Sequence, residues 1–141
     1  MAKITLKSSV QWEQGVRCQA KIRDKQIVID EPKELGGTDK GPNPVELLLA
    51  ALGGCLNIIV NSFAAQHQVD IKGLTVETEG DIDPVGYTEK NPSVRPGLQE
   101  VRYSVKIDSP SPQKNVQQLL EHVDRICPIK DTLSGVPVTK L

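Results

Sequence analysis

The chain has 141 residues, with Lys+Arg 17 against Asp+Glu 18 and a formal net charge of −1, and its length suits one domain, 1–141, with a core of its own. No basic stripe marks a nucleic-acid surface and no acidic run marks a disordered arm, so no nucleic-acid partner is expected. Three cysteines with no CxxC, and only His67 and His122 beside them, fit neither a disulfide scaffold nor a zinc site; no metal and no cofactor is expected. The opening MAKITLKSSVQWEQG lacks the apolar centre of a signal peptide. No apolar run approaches the ~18 residues of a membrane span, so the expectation is a cytoplasmic protein with no membrane partner.

Residues 3–12 alternate with Ile4, Leu6, Val10 and Trp12 in one phase, a strand pattern. Residues 15–23 repeat it with Val16, Cys18, Ala20 and Ile22, and Ile27-Val28-Ile29 follows the turn Arg23-Asp24-Lys25. The opening therefore reads as a three-stranded antiparallel meander. After a loop with Pro32 and Gly36-Gly37, Asn43 suits an N-cap, Pro44 a first helical position and Glu46 the third position of a capping box. This helix runs to about Gln66. Its few polar residues leave it apolar nearly all round, so it must be covered on almost every side.

Residues 69–82 return to a strand, and the Pro- and Gly-rich stretch Asp83 to Gly97 reads as a long excursion or lid. Val101, Tyr103, Val105 and Ile107 alternate in a further strand. Ser111 is placed as the cap of a second helix with Val116, Leu119, Leu120, Val123 and Ile126 on its buried face. Cys127 follows Val116 by three helical turns and shares that face. Pro128 stops the helix, Lys130 to Ser134 offers one more turn, and Val136 to Thr139 reads as a short edge strand. The fold class is α+β.

One small meander and one amphipathic helix cannot cover the central helix. A symmetric homodimer in which two copies of it pack together solves the problem. Gly53-Gly54 would then permit close approach at the seam; the alternative is that they relieve crowding within one chain. Cys55 follows these glycines directly, and Cys127 stands 72 residues later at a helix end. The two thiols are natural reaction partners, and thiol chemistry is the best use for them.

In EPKELGGTDKGPNPVELLLAALGGC (Glu31 to Cys55) and CPIKDTLSGVPV (Cys127 to Val138) the chain resembles the family of osmotically inducible protein C and organic hydroperoxide resistance protein. The resemblance implies an α+β, OsmC-like fold and an intertwined homodimer around the central helix. It also implies reduction of organic hydroperoxides, with Cys55 as the peroxidatic and Cys127 as the resolving cysteine. Regeneration would fall to a dithiol such as dihydrolipoamide or a lipoylated protein. A cation must hold the thiolate of a cysteine in a nonpolar setting. The family's arginine matches Arg17, whose strand phase fits a site or a solvated face equally.

One departure stands out. The family's arginine-orienting glutamate falls at Val45, and the acid is displaced to Glu46. Nine residues at about 100° each put Glu46 on the side of the helix opposite Cys55. Glu46 reads first as a capping residue, with an arginine-orienting catalytic role as the alternative. Cys18 reads as a small core residue, and His67 and His122 as capping or solvent-facing groups. Two other functions stay open: a thiol-disulfide oxidoreductase with a different small substrate, and a dimeric protein that binds a small hydrophobic ligand.

Overall fold

The computed structural model describes residues 2–135 and 140, so the edge strand expected at Val136 to Thr139 lies outside the described residues. The fold is α+β, with antiparallel strands and, among the described residues, four α-helices. Its contacts fall into two compact units, Met1–Leu48 and Leu49–Leu141.

In the first unit β1 (Ser9–Gln14), β2 (Arg17–Ile22) and β3 (Lys25–Ile29) form the antiparallel meander in chain order. Val10 faces Ala20 and Trp12 faces Cys18 across β1–β2, and Cys18 faces Ile29 across β2–β3. The strand expected from residue 3 starts only at Ser9. Ile4 and Leu6 have the alternation but join no ladder among the described residues, and they stand 82% and 86% exposed. Alternation states which face a residue takes, not whether a neighbour strand exists.

Beyond β3 the chain coils around Asp30, a buried carboxylate. Asp30 accepts from the N–H groups of Glu31, Thr38 and Lys40 and from the Thr38 hydroxyl. The Thr38 hydroxyl above all, with those amides, holds the carboxyl down to about 2 against the opposing effect of burial. Gly37 is obligatory in this coil, since a Cβ there would sit 1.9 Å from the Glu31 carbonyl oxygen.

The helix α1 (Pro44–Phe63) begins with the capping box expected for it. The Glu46 N–H donates to Asn43 Oδ1 at 2.9 Å, and the Asn43 N–H donates to Glu46 Oε1 at 2.9 Å. It ends three residues before the expected Gln66. Gln68 then takes a left-handed φ of 57°, and the Val69 N–H returns to the Ala64 carbonyl at 2.9 Å. At 20 residues α1 is also long and apolar enough, by length and composition, to cross a membrane. That corrects the expectation that nothing in the chain reaches this length. Asn57, Asn61 and Ser62 interrupt the apolar run, but they are too few to change the character of the helix as a whole.

In the second unit β4 (Gly73–Asp81) pairs antiparallel with β5 (Glu100–Asp108). The excursion between them holds a short helix, α2 (Pro84–Tyr87), capped by Asp83. α3 (Gln113–Ile126) and α4 (Pro128–Leu133) follow. Leu52, Leu56 and Val60 recur at i, i+4 along α1 and pack with Val116, Leu119 and Val123 of α3. The alternate residues Leu74 and Val76 of β4, and Val101, Tyr103, Val105 and Ile107 of β5, line this core.

Two details of α3 differ from expectation. Its N-cap is Pro112, with no side-chain cap bond, because the Ser111 hydroxyl accepts instead from the Asp70 N–H at 2.8 Å. Ile126 is 40% exposed and off the buried face, whereas Cys127 is on it, only 1% exposed.

Candidate active site

Two elements of the second unit bring the site together. Cys55 lies in α1, one position before the buried Leu56 and three after the buried Leu52, on the stripe that faces α3. Cys127 lies between α3 and α4, where it is the C-cap of one and the N-cap of the other. Pro128 makes that junction, because it ends α3 and suits the first position of α4. Both cysteines are free thiols, and Cys127 Sγ–H donates to Cys55 Sγ at 3.2 Å. A disulfide bond is ~2.05 Å long, so a small approach of the two sulfurs suffices to make one.

The first turn of α4 serves both sulfurs. The Lys130 N–H donates to Cys127 Sγ at 3.4 Å, and the backbone amide of Ile129 favours the Cys55 thiolate. Burial works against that amide and pushes the Cys55 thiol above its ordinary value, with the neighbouring Cys127 adding to the rise. Within its own unit, Cys55 therefore sits in surroundings that favour the neutral thiol.

Arg17 and Glu46 are engaged separately. Arg17 Nε donates to Glu13 Oε2 at 2.9 Å, and its Nη1 donates to Thr38 Oγ1 at 3.1 Å. Its acidic partner is thus Glu13, one strand away, while Glu46 is taken up by the Asn43 amide in the cap. Cys18 is half-buried in β2 rather than fully within a core.

Sequence reasoning missed two clusters. His67 and His122, expected to cap or face solvent, hydrogen-bond each other through Nε2 and Nδ1 at 2.9 Å, and Phe63 packs edge-on against His122. Beside Cys127, the Tyr103 hydroxyl donates to Asp124 Oδ1, and Lys130 Nζ donates to the same oxygen at 2.6 Å. Burial first and Asp124 second push the Tyr103 phenol up to about 12, so it remains a donor at neutral pH. Lys130 above all, with Tyr103, holds the Asp124 carboxyl below its ordinary value. The single signal in the chain for this second cluster is the inward phase of Tyr103, which does not reveal its partner.

An α+β frame that brings one thiol from a central helix against another from a helix junction defines a class of two-cysteine proteins. The family model described as OsmC-like protein matches residues 37–141, and the chain belongs to that family. The "Hydroperoxide reductase" of Mycoplasma genitalium is 30% identical over 118 residues, which cover 82% of this chain and 77% of that protein. The crystal structure of an OsmC-like protein from Mycoplasma pneumoniae superposes with a TM-score of 0.81 at 25% identity, over 96% of this chain and 91% of that one. The organic hydroperoxide resistance protein OsmC of Legionella pneumophila shares the fold, with a TM-score of 0.70 at 18% identity over 96% of this chain and 93% of that one.

Proposed function

We propose that the protein is a thiol-dependent peroxidase that reduces organic hydroperoxides through Cys55 and Cys127, and that residues 1–141 act as one OsmC-like domain. The observation that carries this reading is the 3.2 Å contact between two free thiols. The name of the Mycoplasma genitalium relative supports the choice of substrate.

The Cys55 thiolate attacks the terminal oxygen of the hydroperoxide. An S–O bond forms, the O–O bond breaks, and the alkoxide leaves and takes up a proton. Two electrons have moved from sulfur to peroxide, and Cys55 is a sulfenic acid. Cys127 then attacks the Cys55 sulfur. The S–S bond forms, the S–O bond breaks, and the hydroxide leaves as water with the proton that Cys127 gives up. A dithiol such as dihydrolipoamide, free or on a lipoylated protein, reduces the disulfide by exchange and becomes a disulfide itself. That need for a reductant fits a reducing compartment such as the cytoplasm.

Because burial disfavours the Cys55 thiolate, a cation is required, and Arg17 is the candidate that the family resemblance gives for that part. Glu46 acts as a cap rather than as a catalytic group. We assign the working unit as a homodimer. Trp12 is 70% exposed, Ile58 of α1 is 67% exposed, and a Cβ on Gly54 would meet nothing within 4 Å. An apolar surface of this extent needs a cover, and a second copy supplies one. Sedimentation should then give twice the chain mass at micromolar concentration, and a stable monomer would remove the dimer from the account.

Stopped-flow oxidation by an alkyl hydroperoxide tests the activity. Wild type should turn over with dithiol and peroxide, and Cys55→Ser should not. Thiol-disulfide exchange with dithiol but no peroxide turnover would point to the oxidoreductase reading. Ligand binding indifferent to Cys55→Ser, with no turnover at all, would point to a binding protein.

A further inference from the structure

The cluster beside Cys127 has no part in the chemistry described so far, yet it is tied to the segment that holds both sulfurs. Asp124 lies on α3, three residues before Cys127. Its Oδ1 receives two donors, the Tyr103 hydroxyl from β5 and the Lys130 ammonium from α4, the latter at 2.6 Å. Lys130 also donates its backbone N–H to Cys127 Sγ, and the amide that favours the Cys55 thiolate belongs to the preceding residue, Ile129. A carboxylate on one helix, clamped by a phenol from the sheet, thereby fixes the residue whose amide meets the Cys127 sulfur, which itself lies against Cys55.

The Asp124 and Lys130 side chains are 46% and 39% exposed. An ion pair so open to water contributes little to stability. Its geometry matters more, because it joins the end of α3, the start of α4 and β5 at one oxygen.

We propose that Asp124, Tyr103 and Lys130 are positioning residues that set the first turn of α4, so that the Lys130 amide holds Cys127 towards Cys55 for disulfide closure. The inference rests on the two-cysteine reading above, and it concerns the second step, in which the Cys127 sulfur displaces the oxygen on Cys55. Small displacements of reacting atoms are costly in rate, so loosening this turn slows closure even where the fold is intact.

Single-turnover closure, quenched with acid and read as loss of free Cys127, tests it in wild type and in Asp124→Asn, Lys130→Met and Lys130→Arg. Oxidation is started with an alkyl hydroperoxide in one series. In a second, a small linear disulfide first forms a mixed disulfide on Cys55, which Cys127 then resolves. Asp124→Asn and Lys130→Met should close about tenfold more slowly or worse in both series. The pH midpoint for alkylation of Cys55 should rise in both variants as the Ile129 amide loses its aim. Lys130→Arg, which keeps the charge and the reach to Asp124, should restore both readouts. Wild-type closure and an unchanged midpoint in Asp124→Asn would overturn the proposal, as would Lys130→Arg failing as badly as Lys130→Met. If wild type ignores the hydroperoxide, the peroxidase reading fails by itself, and the mixed-disulfide series still decides the role of the cluster.

Discussion

The two units of the chain are held by opposite means. In Leu49–Leu141 the buried cluster is apolar, from Leu52, Leu56 and Val60 to Val116, Leu119 and Val123, with Cys127 among them. In Met1–Leu48 the buried residues, among those described, are Ala20 and Asp30. One unit is stabilised by excluding water from side chains, the other by satisfying backbone amides around a charge. The contrast shows where chemistry can be precise. A thiol pair needs rigid neighbours, and it lies in the unit with the packed core. The unit with little core of its own also carries the exposed strand β1, whose apolar residues Val10 and Trp12 are 55% and 70% exposed.

This comparison makes ordered predictions. The largest effect belongs to the apolar core. Leu119 is fully buried, and Leu119→Ala should lower unfolding free energy by about 2–5 kcal/mol, the range for large-to-small core changes. Denaturant unfolding checks this, and a loss under ~1 kcal/mol would mean that the apolar core is not what holds the second unit.

Asp30→Asn should have a smaller and pH-dependent effect. The native carboxyl is held down to about 2, below its ordinary range. Its contribution is therefore fully present above about pH 4 and fades as pH falls towards 2. Melting temperatures of wild type and Asp30→Asn should differ most near neutrality and converge in acid; a gap that is constant with pH would show that the charge is not what closes this loop. The smallest effect is expected at the cap. Glu46→Gln keeps an acceptor for the Asn43 amide and should change stability by under ~0.5 kcal/mol, with Cys55 reactivity nearly unchanged. A large fall in reactivity would return Glu46 to the catalytic group.

What could be read from the chain divides along physical lines. The capping box, the meander and the burial of Cys127 three turns after Val116 follow from local spacing, and the structure has them. Residues 3–8 show why a strand pattern alone fails, since pairing needs a partner that no alternation specifies. Ser111 has a cap's chemistry, but its hydroxyl is engaged by Asp70, 41 residues away in the chain. The His67–His122 pair and the Tyr103–Asp124–Lys130 cluster likewise depend on side chains that meet only when helices and sheet are packed. The pairing of Glu13 with Arg17 crosses a turn from one strand to the next, so neither strand's alternation specifies it.

The central claim is that Cys55 and Cys127 act as a pair on hydroperoxides, and it is tested most directly by one turnover followed by mapping. Reduced protein is mixed with one equivalent of an alkyl hydroperoxide, quenched and digested. The account predicts loss of two thiols per chain, a Cys55–Cys127 disulfide as the dominant product, and Cys18 free. Three thiols unchanged, or a dominant bridge to Cys18, would contradict it.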